Sequence, residues 1–232
     1  MLRQFLISCV DIVLGVMLRV VSFDCYGTLV DWLYSFRNYL GMVFREFRNI
    51  DELVKEFLAI EQRLIMCGKF IKYSNILKSC LYELARKLNI EVTPEVLEGI
   101  VIAFAKSPPF PDVYPSLKII KNKFNIKLAI LSNTERRLIN ITLCGMEDLF
   151  DYIITAEDVG TYKPNIDAFR KFLEILNVLP EEVLHVSAYI WYDLEPARRV
   201  GMKTLLVDRY GFNWDLKVGS LLELPDIISR FC

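Results

Sequence analysis

An α/β architecture, an open doubly wound parallel sheet interrupted by an inserted helical domain, is what the 232 residues predict. Two observations lead there. Short, almost continuously apolar runs recur along the chain, the pattern of strands buried on both faces. Stretches with helical spacing lie between the later runs, and strand alternating with helix implies parallel strands joined by crossovers, a Rossmann-like sheet. A third observation sets the insertion: one long block, after the first run, carries helical patterns and no convincing strand.

In chain order, "MLRQFLISCVDIVLGV" (1–16) has a basic start and an apolar stretch, but Asp11 interrupts it and no small-x-small cleavage pattern follows. It is too short and broken for a membrane span, and reads as an N-terminal extension, an extra helix or the product of an upstream start codon. "LRVVSF" (18–23) is the first strand. The block 32–107 contains "DELVKEFLAIEQRLIM", "SNILKSCLYELARKL" and "TPEVLEGIVIAF", the last with Thr93 as N-cap and Pro94 in the first turn. At about 75 residues it is too long for a loop, so 32–107 is expected to be a helical cap domain, ended by the breaker cluster "SPPFPDVYP". The core domain is expected to comprise 1–31 and 108–232. Its remaining elements are a helix over 114–124, "IKLAILS" (126–132), a helix over 134–144, "YIIT" (152–155), a helix over 165–177, "VLHVSA" (183–188), a helix over 193–200 and "KTLLVD" (203–208).

Composition narrows the function. Hydrophobic residues at 53% and charged residues at 25% fit a packed globule, and 28 basic against 29 acidic residues leave no basic block for a phosphate backbone. Nucleic acid and membrane are therefore not expected partners. Cysteines 9, 25, 67, 80, 144 and 232 are scattered without a C-x-x-C pair, which points to reduced thiols and a cytoplasmic setting. His185 is the sole histidine, so multi-histidine metal sites are excluded, and its run "VLHVSA" reads as a strand in the core. A mean hydropathy of +0.31 and many apolar residues in 32–107 suggest a homodimer through that block.

Ligands of an open parallel sheet bind beyond the carboxyl ends of its strands, where loops diverge and helix N-termini point in. The side chains at those exits are Asp24, Ser132 with Asn133, Lys163 in "EDVGTYKP", and Ser187 to Asp193. Each has an ordinary structural role: a cap for Asp24, Ser132 or Asn133, a solvated surface for Lys163, a first-turn acid for Asp193. Together they place two carboxylates, a hydroxyl, an amide and an ammonium at one sheet edge.

"FDCYGTLVDW", "ILSNT", "YKPNIDAF" and "HVSAYIWYDLEPARRVGM", in this order and at these spacings, resemble the four motifs of the haloacid dehalogenase superfamily of aspartate-nucleophile hydrolases. The likeness covers 18–31 and about 110–210, with the helical block at the usual cap position. It implies that Asp24 attacks carbon or phosphorus to give an aspartyl ester that water opens. Gly27 lets the chain turn, so that main-chain N–H groups face an anionic substrate. Thr28 holds Asp24 or a substrate oxygen, or only shapes the turn. Ser132 and Asn133 donate to a carboxylate or phosphate, with Ser187 and Tyr189 beside them. Lys163 keeps Asp24 ionised, and Asp193 orients or deprotonates water, or shares magnesium with Asp24 and the Tyr26 carbonyl.

Two departures choose between reactions. Phosphoryl-transfer members carry an aspartate two residues after the nucleophile; here it is Tyr26, with an ordinary pKa near 10 and no use as a proton shuttle at neutral pH. An acid that usually helps bind magnesium is replaced by Ala188 in "SA". Both features resemble the 2-haloacid dehalogenase branch, whose first motif is also D-x-Y-G-T and which needs no metal, whereas a phosphatase would require magnesium. A small anionic substrate is implied. That branch also uses a cap arginine for the halide, for which Arg63 is the candidate; Phe169 and Tyr189 stand where it has tyrosine and asparagine, and Asp193 comes one residue late. The alternatives are a magnesium-dependent phosphatase and a binding protein on the same fold that has lost catalysis.

Overall fold

The computed structural model describes residues 17–68 and 70–231. The segment 1–16, read above as an extension, lies outside the described residues, as do Cys9 and Cys232. Among the described residues no helix is long and apolar enough to cross a membrane. Cys25 and Cys80 are buried free thiols.

The apolar runs are strands for the expected reason: both faces are covered. β1 (Val20–Phe23), β2 (Lys127–Ser132), β3 (Tyr152–Thr155), β4 (Val183–Ser187) and β5 (Lys203–Val207) pair in parallel, and a two-residue β6 (Lys217–Val218) adds to the edge, giving the order β3-β2-β1-β4-β5-β6. Side chains alternate across the sheet. Val21, Phe23, Leu128, Ile130, Leu184 and Val186 join one hydrophobic cluster, while Val20, Ala129, Leu131 and Val183 join a second on the other face. β6 is not visible in the periodicity because two residues carry none; it exists by pairing with β5.

Four helices intervene between β1 and the next crossover: α1 (Trp32–Val43), α2 (Ile50–Ile65), α3 (Tyr73–Lys87) and α4 (Pro94–Ala105). Apolar residues of this insert, Phe36, Phe57 and Phe104 among them, are continuous with the first cluster of the sheet. Thr93 and Pro94 stand at the predicted start of α4, but the Thr93 side chain makes no capping bond to the helix. The crossovers follow as α5 (Val113–Lys123), α6 (Arg136–Thr142), α7 (Ala156–Val159), α8 (Ile166–Leu176) and α9 (Glu195–Arg199), and α10 (Leu224–Ile228) comes after the last strand. The helix expected over 193–200 is shorter because a π turn, Ile190–Leu194, precedes it.

Candidate active site

β1 and β4 are neighbours, yet the chain leaves β1 toward β2 and enters β4 from the β3 side, so the crevice between their carboxyl ends is the switch point of the sheet. Asp24 follows β1, Ser132 ends β2, Lys163 lies between α7 and α8, and Asp193 belongs to the π turn after β4.

Lys163 organises these groups. It is 2% exposed, and its ammonium donates to Asp24 Oδ1 at 2.9 Å, Asp193 Oδ1 at 2.6 Å and the Leu131 carbonyl at 2.8 Å, using its full complement of donors. Its backbone is clamped by Asn133, whose Nδ2 donates to the Lys163 carbonyl and whose Oδ1 accepts the Lys163 N–H, both at 2.8 Å. Asn133 borders the cavity, but its amide is engaged by the chain itself.

The other Asp24 oxygen, Oδ2, accepts the Thr28 hydroxyl at 2.7 Å, and Thr28 Oγ1 in turn accepts the Ala188 N–H at 3.0 Å. Of the roles open to Thr28, the geometry selects the bond to Asp24; it is fully buried and does not reach the cavity. Ser187 is likewise buried, its Oγ accepting the Tyr189 N–H at 3.0 Å, because a strand-end hydroxyl next to a turn closes on its own backbone. The N–H groups of Gly27, Thr28, Leu29 and Val30, expected to face an anion, instead bond to the carbonyls of Val30 and Cys25 within the turn. Gly27 is required there: φ is +89°, and a Cβ would meet the Tyr189 hydroxyl oxygen at 2.1 Å.

His185 is a buried strand residue as expected, but it also touches the site. Its Nε2 is 2.9 Å from Asp193 Oδ1 and its Nδ1 is 2.8 Å from Ser22 Oγ, and an imidazole carrying its proton on Nε2 satisfies both. Asp193 thus has two partners on one oxygen. Burial pushes its carboxyl up, but Lys163 and His185 outweigh that and hold it below the usual carboxylate range. Asp24 moves the other way: burial raises it, the charge of Asp193 adds to the rise, and Lys163 and Thr28 offset only part. Lys163, although burial opposes its charge, is held ionised by the two carboxylates.

The late position of Asp193 has a local explanation. The π turn, with Leu194 N–H bonded to the Tyr189 carbonyl, takes up one extra residue within a helical turn. Asp193 therefore still points at Lys163.

Tyr26 turns its hydroxyl away from Asp24, 2.6 Å from Thr142 Oγ1, and stacks its ring on Phe104 of the insert at 3.8 Å. Burial pushes the phenol well above its ordinary value. Asp24, Tyr26 and Asp193, the residues considered for magnesium, do not gather with further acids: among the described residues no group of three or more His, Cys, Asp or Glu side chains is placed to hold a metal.

Sheet edge and insert enclose a cavity of about 620 Å³. Asp24, Lys163, Asp193 and Ser132 line it, and Ser132 Oγ is buried without a hydrogen-bond partner. Tyr26 and Tyr189 form part of the wall. A groove of about 710 Å³ at the opposite end of the sheet, by Arg19 and Pro180, holds none of these residues. Arg63 does not reach the cavity; its side chain is 59% exposed and pairs with Glu83 at 2.5 Å. Phe169 is in the core against His185. Missed by the sequence reading are Lys55, Leu58, Ala59 and Gln62, a stripe at i, i+3, i+4 and i+7 of α2 that faces the cavity, and the buried Glu61 beside it. The spacing carried that signal; which face of α2 met the sheet did not show.

Fold and site together define a hydrolase with an acid-lysine-acid centre at the switch point of a doubly wound sheet. The haloacid dehalogenase-like hydrolase model matches residues 18–201, and the chain belongs to that family. It is 25% identical to haloacetate dehalogenase H-2 of Moraxella sp. (strain B) over 90% of this chain and 92% of the relative. It is 24% identical to the glyceraldehyde 3-phosphate phosphatase of Methanocaldococcus jannaschii over 92% and 98%. In fold it is similar to L-2-haloacid dehalogenase from Xanthobacter autotrophicus with chloropropionic acid covalently bound, at a TM-score of 0.81 and 21% identity, covering 93% of this chain and all of the other.

Proposed function

We propose that the chain is a 2-haloacid dehalogenase-like hydrolase in which Asp24 is the nucleophile and residues 32–107 form the cap over a small anionic substrate. One observation carries the reading: the buried Lys163 ammonium joins the carboxylates of Asp24 and Asp193, while the residue two positions after Asp24 is a tyrosine whose hydroxyl faces away. Displacement of a halide needs a carboxylate at close range and no proton for the leaving group.

An Asp24 oxygen forms a bond to the carbon bearing halogen as the carbon–halogen bond breaks, and halide departs with the electron pair. Water, oriented by Asp193, gives Asp193 a proton as the water oxygen adds to the Asp24 carboxyl carbon; collapse of the adduct breaks the ester C–O bond, the departing oxygen takes that proton to release the hydroxy acid, and the second water proton passes to solvent. The product keeps an oxygen from Asp24, and the carboxylate regains one from water. Lys163 stabilises the charge that returns to Asp24 in that second step. Ser132 Oγ is the donor for the substrate carboxylate, and Lys55 on α2 is the cap cation for an anion. Metal independence is supported by the donor set: both carboxylates already share a cation that the chain supplies, and magnesium favours several hard oxygen ligands. The phosphatase relative keeps the second reading open to test.

Three reactions decide. Single turnover of a 2-haloacid in heavy-oxygen water is expected to label the carboxylate of Asp24, seen by peptide mass. Asp24→Asn is expected to reduce halide release by roughly 10⁴-fold or more, the scale seen when a nucleophile is removed. Phosphate esters with and without magnesium are expected to release no phosphate; metal-dependent release would favour the phosphatase, and an unlabelled Asp24 with product accumulating overturns the covalent route.

A further inference from the structure

Glu61 is the group in the cavity that halide displacement does not use. It lies on α2, is 7% exposed, and its Oε1 accepts the Tyr73 hydroxyl at 2.9 Å from α3. Among the described residues Tyr73, Cys80, Tyr162 and Tyr192 share its field; Cys80 also feels Arg63 and Glu83, which pair with each other, Tyr192 also feels Asp193, and Lys55 of the same helix lines the same cavity. An ionised carboxylate accepts several hydrogen bonds, and one phenol leaves that capacity unfilled. Burial accordingly pushes Glu61 up to about 7, with Tyr73 offsetting only part. A glutamine would keep the phenol bond without this penalty, so the carboxyl at the cavity wall calls for a partner that only a charge can hold.

The charge has the wrong sign for a halide or a substrate carboxylate and the right one for a cation. The cavity, about 620 Å³, falls in the range that encloses drug-sized ligands and far exceeds a two- or three-carbon acid. The cavity walls are aromatic, with Phe104 against Tyr73 at 4.9 Å and Trp191 against Tyr192 at 3.7 Å, surfaces that favour ammonium groups.

We propose that Glu61 and Tyr73 form a specificity site for a protonated amine, so that the substrate is an elongated acid with its electrophilic carbon at Asp24 and an ammonium group at its cap end. This rests on the Asp24 reading for the reacting end only.

The test compares 2-chloro-6-aminohexanoate with 2-chlorohexanoate in the wild type and in Glu61→Gln. Expected is a wild-type kcat/KM ratio of about tenfold or more in favour of the amine, the scale of a charge-assisted hydrogen bond, falling toward one in Glu61→Gln through KM. The preference should grow from pH 6 to 8 as Glu61 ionises, since an alkylamine, with an ordinary pKa of about 10.4, keeps its proton there. Tyr73, Cys80, Tyr162 and Tyr192 stay neutral across that range, and Lys163 and Asp193 keep their charges. A wild-type ratio near one, a ratio that survives Glu61→Gln, or a flat profile overturns the proposal. If neither substrate releases halide, the Asp24 reading fails, and calorimetry with 6-aminohexanoate against hexanoate tests Glu61 alone: tighter amine binding lost in Glu61→Gln supports it, equal affinity overturns it.

Discussion

Replacing Lys163 by methionine leaves Asp24 and Asp193 in one buried site with no cation between them. Removing one partner of a buried ion pair costs about 3–5 kcal/mol, so Lys163→Met is expected to lower the unfolding free energy at pH 7 by that order, read from a lower urea midpoint at unchanged slope. The sign with pH is fixed by the carboxylates: without the ammonium their folded-state pKa values rise above the unfolded ones, so the variant regains stability as pH falls and they protonate. In the intact enzyme Asp24 is itself raised, and the ionised form that the proposed covalent route requires is lost as pH drops through that raised value. The acid limb of kcat/KM is therefore expected above the ordinary aspartate value of 3.8; a limb at or below it, in a pH-rate profile, would contradict the assignment. Lys163 and Asp193 were each visible in the sequence as polar groups at strand exits. Their sharing of one ammonium was not, because they are 30 residues apart and meet only across the crevice.

Among the elements, α3 is tied at its first turn to Glu135, the residue that opens α6 after β2. The Glu135 carboxylate accepts the Ser74 N–H at 3.1 Å and the Ser74 hydroxyl at 2.9 Å, satisfying donors that a helix N-terminus leaves open. Glu135→Ala removes the one oxygen, Oε2, that accepts both bonds and is expected to cost about 1–3 kcal/mol, read as a lower melting temperature. Because Tyr73 starts the same helix, a raised KM for amine-bearing substrates should accompany it. The helices of the insert were legible from apolar spacing, and the strands from their unbroken apolar runs. The π turn was not: it is an adjustment of backbone register that keeps Asp193 on Lys163, and a sequence shows only that the acid comes late.

For the whole molecule, Glu61 makes stability depend on pH. Its folded-state value of about 7 lies above the ordinary 4.5, so the folded chain binds the proton more tightly and stability falls as pH rises from about 4.5 to 7. Converted at 1.36 kcal/mol per unit, that amounts to about 3 kcal/mol. Glu61→Gln is expected to flatten this slope and to raise stability at pH 8, measured by urea unfolding at pH 5 and pH 8; an unchanged slope would show that Glu61 is solvated. The chain's order of strands and helices, its family and the acids and lysine at the strand ends could be read directly, since periodicity and motif spacing are local properties of a sequence. The direction of each side chain could not. Asn133, Thr28 and Ser187, plausible substrate donors by type, bond within the protein, and Glu61 and Lys55, anonymous on a long helix, line the cavity. Those assignments depend on which face of α2 meets the sheet edge and on hydrogen bonds between segments far apart in the chain, and packing in three dimensions alone sets them.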